Sequence, residues 1–79
     1  MTTCVYVQIR AKPGMTYKVA EDIALLEIHS ELYSTSGDWD LIMKVYIPEG
    51  EDVGHFINAR MADVRHVERT LTTMTFKAF

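Results

Sequence analysis

Apolar and polar positions alternate from Thr3 to Ala11, with Val5, Val7 and Ile9 on one side and Cys4, Tyr6, Gln8 and Arg10 on the other. That period of two is a half-buried strand. Lys12-Pro13-Gly14 ends it, because proline lacks the ladder donor and glycine accepts a turn. The spacing then becomes helical from about Thr16 to Glu27, where Val19, Ala20, Ile23, Ala24 and Leu26 form an apolar stripe. Thr16 is the expected N-cap, with Met15 packing back as a hydrophobic staple. Within the next stretch, Leu32-Tyr33-Ser34-Thr35 favours a strand. A turn at Gly37-Asp38 leads into the strongest strand pattern, Trp39 to Ile47. There Leu41, Met43, Val45 and Ile47 share one face, and Ile42, Lys44 and Tyr46 the other. Pro48-Glu49-Gly50 stops it, and a second helix is expected from about Asp52 to Ala62, with Val53, Phe56, Ile57, Met61 and then Val64 on its stripe. Glu51 and Asp52 sit where the positive end of that helix dipole falls. A last strand, rich in β-branched residues, runs from about Val67 to Lys77.

The order β-α-β-β-α-β defines an α+β domain of ferredoxin-like plan. Its expected form is a four-stranded antiparallel sheet with both helices on one face. Residues 1–79 make a single domain, with no internal repeat beyond the two halves and no linker. Tyr6, Ile42 and Tyr46 then point away from the helices, onto a sheet face that needs a cover. The simplest cover is the same face of a second copy, which makes the fold of the dimeric α/β-barrel type.

With 79 residues, the domain buries only about 60% of its unfolded surface, so its stability alone is marginal. The 48% of hydrophobic residues suffices for a core and leaves apolar surface for association. The net charge is −3, and Lys12, Lys18, Lys44, Lys77, Arg10, Arg60, Arg65 and Arg69 are scattered rather than clustered. That distribution argues against direct nucleic-acid binding. A lone Cys4 permits no internal disulfide and fits a reducing compartment. The N-terminus lacks a signal-peptide layout, and no apolar run reaches membrane-spanning length. A cytoplasmic protein is expected.

The candidate chemistry lies at Gly37-Asp38-Trp39-Asp40, where two carboxylates flank one aromatic at a turn between strands. A turn held on a rigid sheet suits a small charged ligand. The strand-like run Val67 to Thr72 adds the hydroxyls of Thr70 and Thr72. The plain alternatives stay open: Asp40 bonding backbone N–H groups of its own turn, threonines present for strand propensity, and Trp39 packing in an interface. His29, His55 and His66 have no metal-ligand spacing with other ligating residues, and neither a nucleophile with its base nor a phosphate loop is found. No metal or cofactor is expected. The enzymatic alternative is a small dimeric cofactor-free monooxygenase or isomerase, with His29, His66 or Asp40 as acid-base groups.

Three segments together resemble the ligand-binding (RAM) domain of the Lrp/AsnC, or feast/famine, transcriptional regulators. They are the first strand with its Lys12-Pro13-Gly14 exit, the run Ser36-Gly37-Asp38-Trp39-Asp40-Leu41-Ile42-Met43-Lys44-Val45, and Val64-Arg65-His66-Val67-Glu68-Arg69-Thr70-Leu71-Thr72. The resemblance spans nearly the whole chain but leaves no room for a helix-turn-helix before Val5, so a stand-alone form of the domain is expected. It departs at Trp39, where the family often carries tyrosine. It implies dimers built through the sheets, rings of dimers, and amino acids or related metabolites bound between dimers, with no chemistry performed and DNA binding not carried over. Its ligand loop falls at Gly37, Asp38, Trp39 and Asp40, and its final-strand threonines at Thr70 and Thr72. The two acids suit the ligand's ammonium, and backbone N–H groups and hydroxyls its carboxylate. A further possibility is a structural partner that co-assembles with full-length regulators of the same family.

Overall fold

The computed structural model describes residues 2–79. The elements are β1 (Thr3–Ala11), α1 (Thr16–Leu26), β2 (Glu31–Ser34), β3 (Leu41–Ile47), α2 (Val53–Met61) and β4 (Val67–Met74). The strands form one antiparallel sheet in the order β2-β3-β1-β4. The expected ferredoxin-like βαββαβ arrangement is therefore the observed one. β1 lies at the centre, beside β3 and β4, although both follow it much later in the chain.

The alternation read from the sequence is the alternation of burial. Val5, Val7 and Ile9 of β1 and Leu41, Met43, Val45 and Ile47 of β3 are buried against Val19 and Ile23 of α1 and Phe56 and Ile57 of α2. Full burial of each such side chain stabilises by about 1.5–3 kcal/mol. The opposite face carries no helix. Tyr6 and Tyr46 are exposed there and Ile42 is half-buried, as expected. Tyr33, paired with Ile42 across β2 and β3, extends the aromatic surface, and Leu71 of β4, opposite Gln8, is 48% exposed beside it.

The helix boundaries differ from expectation where the backbone turns. Met15, not Thr16, occupies the N-cap of α1, and no side chain caps it. The cause is the turn before it: the N–H of Met15 donates to the carbonyl of Lys12 at 2.9 Å, and Gly14 has φ 79°. With Pro13 second and Gly14 third, this is a type II turn that delivers Met15 directly into the helix start. Helix α1 stops one residue early because Glu27 adopts left-handed backbone angles, φ 56°. Ala24 lies exposed rather than on the apolar stripe, and Leu26 is half-buried. Helix α2 is one residue shorter at each end than expected, with Asp52 as its N-cap accepting the N–H of His55 at 2.8 Å.

Trp39 and Asp40 precede β3 instead of belonging to it. Strand β4 ends at Met74, before Lys77. Just beyond it, the hydroxyl of Thr75 donates to the carbonyl of Cys4 at 2.6 Å, where a ladder N–H would otherwise serve. The β1–β4 register also slips by one: Arg10 faces Arg69 and Ala11 faces Val67, so Glu68 is an extra, bulged residue.

Candidate functional site

The loop from Thr35 to Asp40 joins β2 to β3. Gly37 sits in it at φ 91°, and a Cβ built there meets nothing within 4 Å. Backbone conformation alone, not crowding, therefore asks for glycine. Thr35 closes the loop twice: its N–H donates to the carbonyl of Asp40 at 2.9 Å and its hydroxyl to the carbonyl of Trp39 at 2.8 Å.

Asp40 ties the loop to the central strand. Its N–H donates to the carbonyl of Ile9 at 2.9 Å. Its Oδ2 accepts the N–H of Ala11 at 2.8 Å in a partly buried setting. The side chain thus receives a backbone donor at the end of β1, just past the β1–β3 ladder, which ends at Ile9 and Leu41. Asp38 differs. Its carbonyl receives Nη1 of Arg10 at 3.3 Å, while its carboxylate is exposed and has no hydrogen bond or ion pair among the described residues.

These contacts border an open, surface cavity of about 200 Å³ where the exit of β1 meets the β2–β3 loop. Its polar walls are Arg10, Lys12, Thr16, Asp38, Asp40 and Glu68, and Gly37 completes the loop side. Arg10 Nε and Glu68 Oε2, both from lining residues, form an ion pair at 4.0 Å. Of the residues expected at the site, Gly37, Asp38 and Asp40 are therefore brought together. Trp39 is not among the lining residues; its half-buried ring lies beneath the guanidinium of Arg69, with the Arg69 carbon 4.9 Å from the ring centre. Thr70 and Thr72 stand opposite Ile9 and Val7, on the helix side of β4 and away from this cavity.

Reading residues in chain order missed Arg10, Lys12, Thr16 and Glu68. The available signal was topological. A ferredoxin-like order places β1 beside β3, so the end of β1 must meet the loop that starts β3. The bulge then brings Glu68 to the same place.

The helix-free face holds two more cavities, of about 190 and 350 Å³, which share Tyr6 and Lys44. Lys44 pairs with Glu31 at 3.5 Å, and its Nζ lies 5.3 Å from the centre of the Tyr46 ring. Hydrogen bonding and charge interaction with Tyr46, and then the charge interaction with Tyr6, hold the lysine above its ordinary range. Tyr33 donates its hydroxyl to Glu31 at 2.7 Å. That bond first, and the Lys44 charge after it, hold the Glu31 carboxyl below its ordinary value. Among the described residues, no group of three or more His, Cys, Asp or Glu side chains could hold a metal ion. No helix in them is long and apolar enough to cross a membrane.

Residues 4–79 match the family described as the Lrp/AsnC ligand binding domain. An uncharacterized HTH-type transcriptional regulator of Pyrococcus furiosus is 34% identical over 77 residues, covering 94% of this chain and 51% of the regulator. The chain spans about half the length of the curated relatives it matches. In fold it is similar to AsnC of E. coli, with TM-score 0.85 and 16% identity over 96% of this chain and 52% of that one. A Neisseria meningitidis transcriptional regulator, solved as its L-Met complex, superposes with TM-score 0.78 and 9% identity over 95% of this chain and 50% of that one.

Proposed function

Because this chain belongs to the Lrp/AsnC ligand-binding domain family, we propose that it binds a small amino acid or a related metabolite and couples that binding to its own assembly. The site is the β2–β3 loop, Gly37, Asp38, Trp39 and Asp40, together with the exit of β1. The observation that carries this reading is the polar cavity bounded by Gly37, Asp38 and Asp40, in the segment that resembles the family's ligand loop. An amino acid is the ligand in the Neisseria complex, and the same ligand class is proposed here.

Thr70 and Thr72 lie outside the cavity of their own chain. In this reading their hydroxyls meet a ligand held by a neighbouring copy. The first contact between copies is the helix-free face with Tyr6, Ile42 and Tyr46, exposed or half-buried aromatic and aliphatic groups that association removes from water. Dimers then join into a ring, and the ligand favours the state in which its pocket is closed. The domain performs no chemistry, resides in the cytoplasm, and exerts any effect on DNA through regulators of its family with which it co-assembles, not by contacting DNA itself.

The test is a thermal-shift screen of the proteinogenic amino acids with light scattering in parallel. A ligand at about 100 times its Kd adds roughly 2.7 kcal/mol of stability. The expected result is one amino acid, or a few, that raise Tm and change the assembly size. A stable monomer indifferent to all of them overturns the proposal.

A further inference from the structure

We infer that the cavity selects amino acids with polar side chains over aliphatic and aromatic ones, with Asp38 receiving the ammonium and Lys12 the carboxylate. This rests on the ligand site proposed above and adds its selectivity.

The first ground is which charges are free. Asp40 spends Oδ2 on the N–H of Ala11, so it is an anchor more than a receptor. Asp38 and Lys12 both line the cavity, and neither charged group has a hydrogen bond or ion pair among the described residues. One unpaired anion and one unpaired cation in a single cavity match the two ends of a zwitterion.

The second ground is the walls. Ala11 and Pro13 are the apolar lining residues; every other side chain there is charged or hydroxylic. Trp39, the one large aromatic of the loop, is stacked on Arg69 and does not line the cavity. An aliphatic side chain placed here gains little apolar contact and strips water from charged groups. A polar one finds Arg10 and Glu68, whose 4.0 Å separation is too long for a direct hydrogen bond. Each keeps bonding capacity that an amide or hydroxyl lying beside the pair can use.

The experiment is isothermal titration of the full chain with serine, asparagine and glutamine on one side and leucine, methionine and phenylalanine on the other. The expected result is binding of at least one polar amino acid about tenfold or more tighter than every apolar one. Asp38→Asn and Lys12→Gln should each weaken that ligand about tenfold or more, with assembly size and Tm of the ligand-free protein unchanged, since neither side chain bonds another described residue. Apolar amino acids binding as tightly as the polar ones overturn the selectivity and leave the proposed site standing. Undiminished binding by both variants overturns the assignment of the two charges. Absence of binding by all amino acids overturns the site and the selectivity together.

Discussion

Asp40 and Ala11, 29 residues apart in the chain, are joined by a 2.8 Å hydrogen bond from a backbone N–H to a carboxylate oxygen. The bond fixes the β2–β3 loop against the end of the central strand. Asp40→Ala leaves a partly buried N–H without its acceptor and should cost about 1–3 kcal/mol. Asp40→Asn keeps an oxygen in place and should cost less. Urea denaturation followed by circular dichroism measures both, and equal losses for the two variants would contradict the role given to this bond.

Gly37 tests the loop by a different route. Its φ of 91° lies where a Cβ is penalised, and the space around it is open. Gly37→Ala should therefore lose about 1–2 kcal/mol through backbone strain alone, and Gly37→Asn less, because asparagine tolerates positive φ better. Chemical denaturation of the two variants ranks them; a neutral Gly37→Ala would show that the loop adopts another conformation in solution.

Ile42 stands half-buried on the helix-free face. Ile42→Lys places a charge in the surface that a second copy is proposed to cover, and it leaves the buried face of β3 untouched. Self-association should weaken by at least about tenfold, read by sedimentation equilibrium, while the far-ultraviolet circular dichroism spectrum stays unchanged. Association as strong as in the parent protein would move the interface elsewhere.

Glu31 sets a pH dependence. Its carboxyl is held below the ordinary value of 4.5, first by the Tyr33 hydroxyl and then by Lys44. A carboxyl lowered on folding contributes stability that is present above its unfolded pKa and lost as pH falls through its folded pKa. The Tm gap between the parent and Glu31→Gln should thus be open at neutral pH and close as the pH drops below 4.5. Tyr33→Phe, which removes the largest cause, should narrow the gap over the same window. Melting curves across that range decide it, and a gap that widens in acid would mean that folding raises the Glu31 carboxyl instead.

Much of the fold was legible because the buried face of the sheet repeats every second residue. Val5, Val7 and Ile9, then Leu41, Met43, Val45 and Ile47, announce both central strands and their inner side. Two strand ends were less legible because side-chain bonds hold them: Asp40 just before β3 and Thr75 just beyond β4 bond main-chain groups of β1 that no periodicity encodes. For the same reason Trp39 reads as strand but lies before it. At the site, Gly37, Asp38 and Asp40 were visible as turn chemistry. Arg10, Lys12 and Glu68 were not, since they reach the cavity only through strand order and a bulge.

The surplus residue at Glu68 sorts the edge of the sheet. Had β4 kept strict alternation from Val67 onward, Arg69, Leu71 and Thr73 would lie over the core and Thr70 and Thr72 outside. With one residue looped out, Arg69, Leu71 and Thr73 fall opposite Arg10, Gln8 and Tyr6, and Thr70 and Thr72 opposite Ile9 and Val7. A single insertion thus decides that leucine lies on the helix-free face while Thr70 and Thr72 border the helical layer.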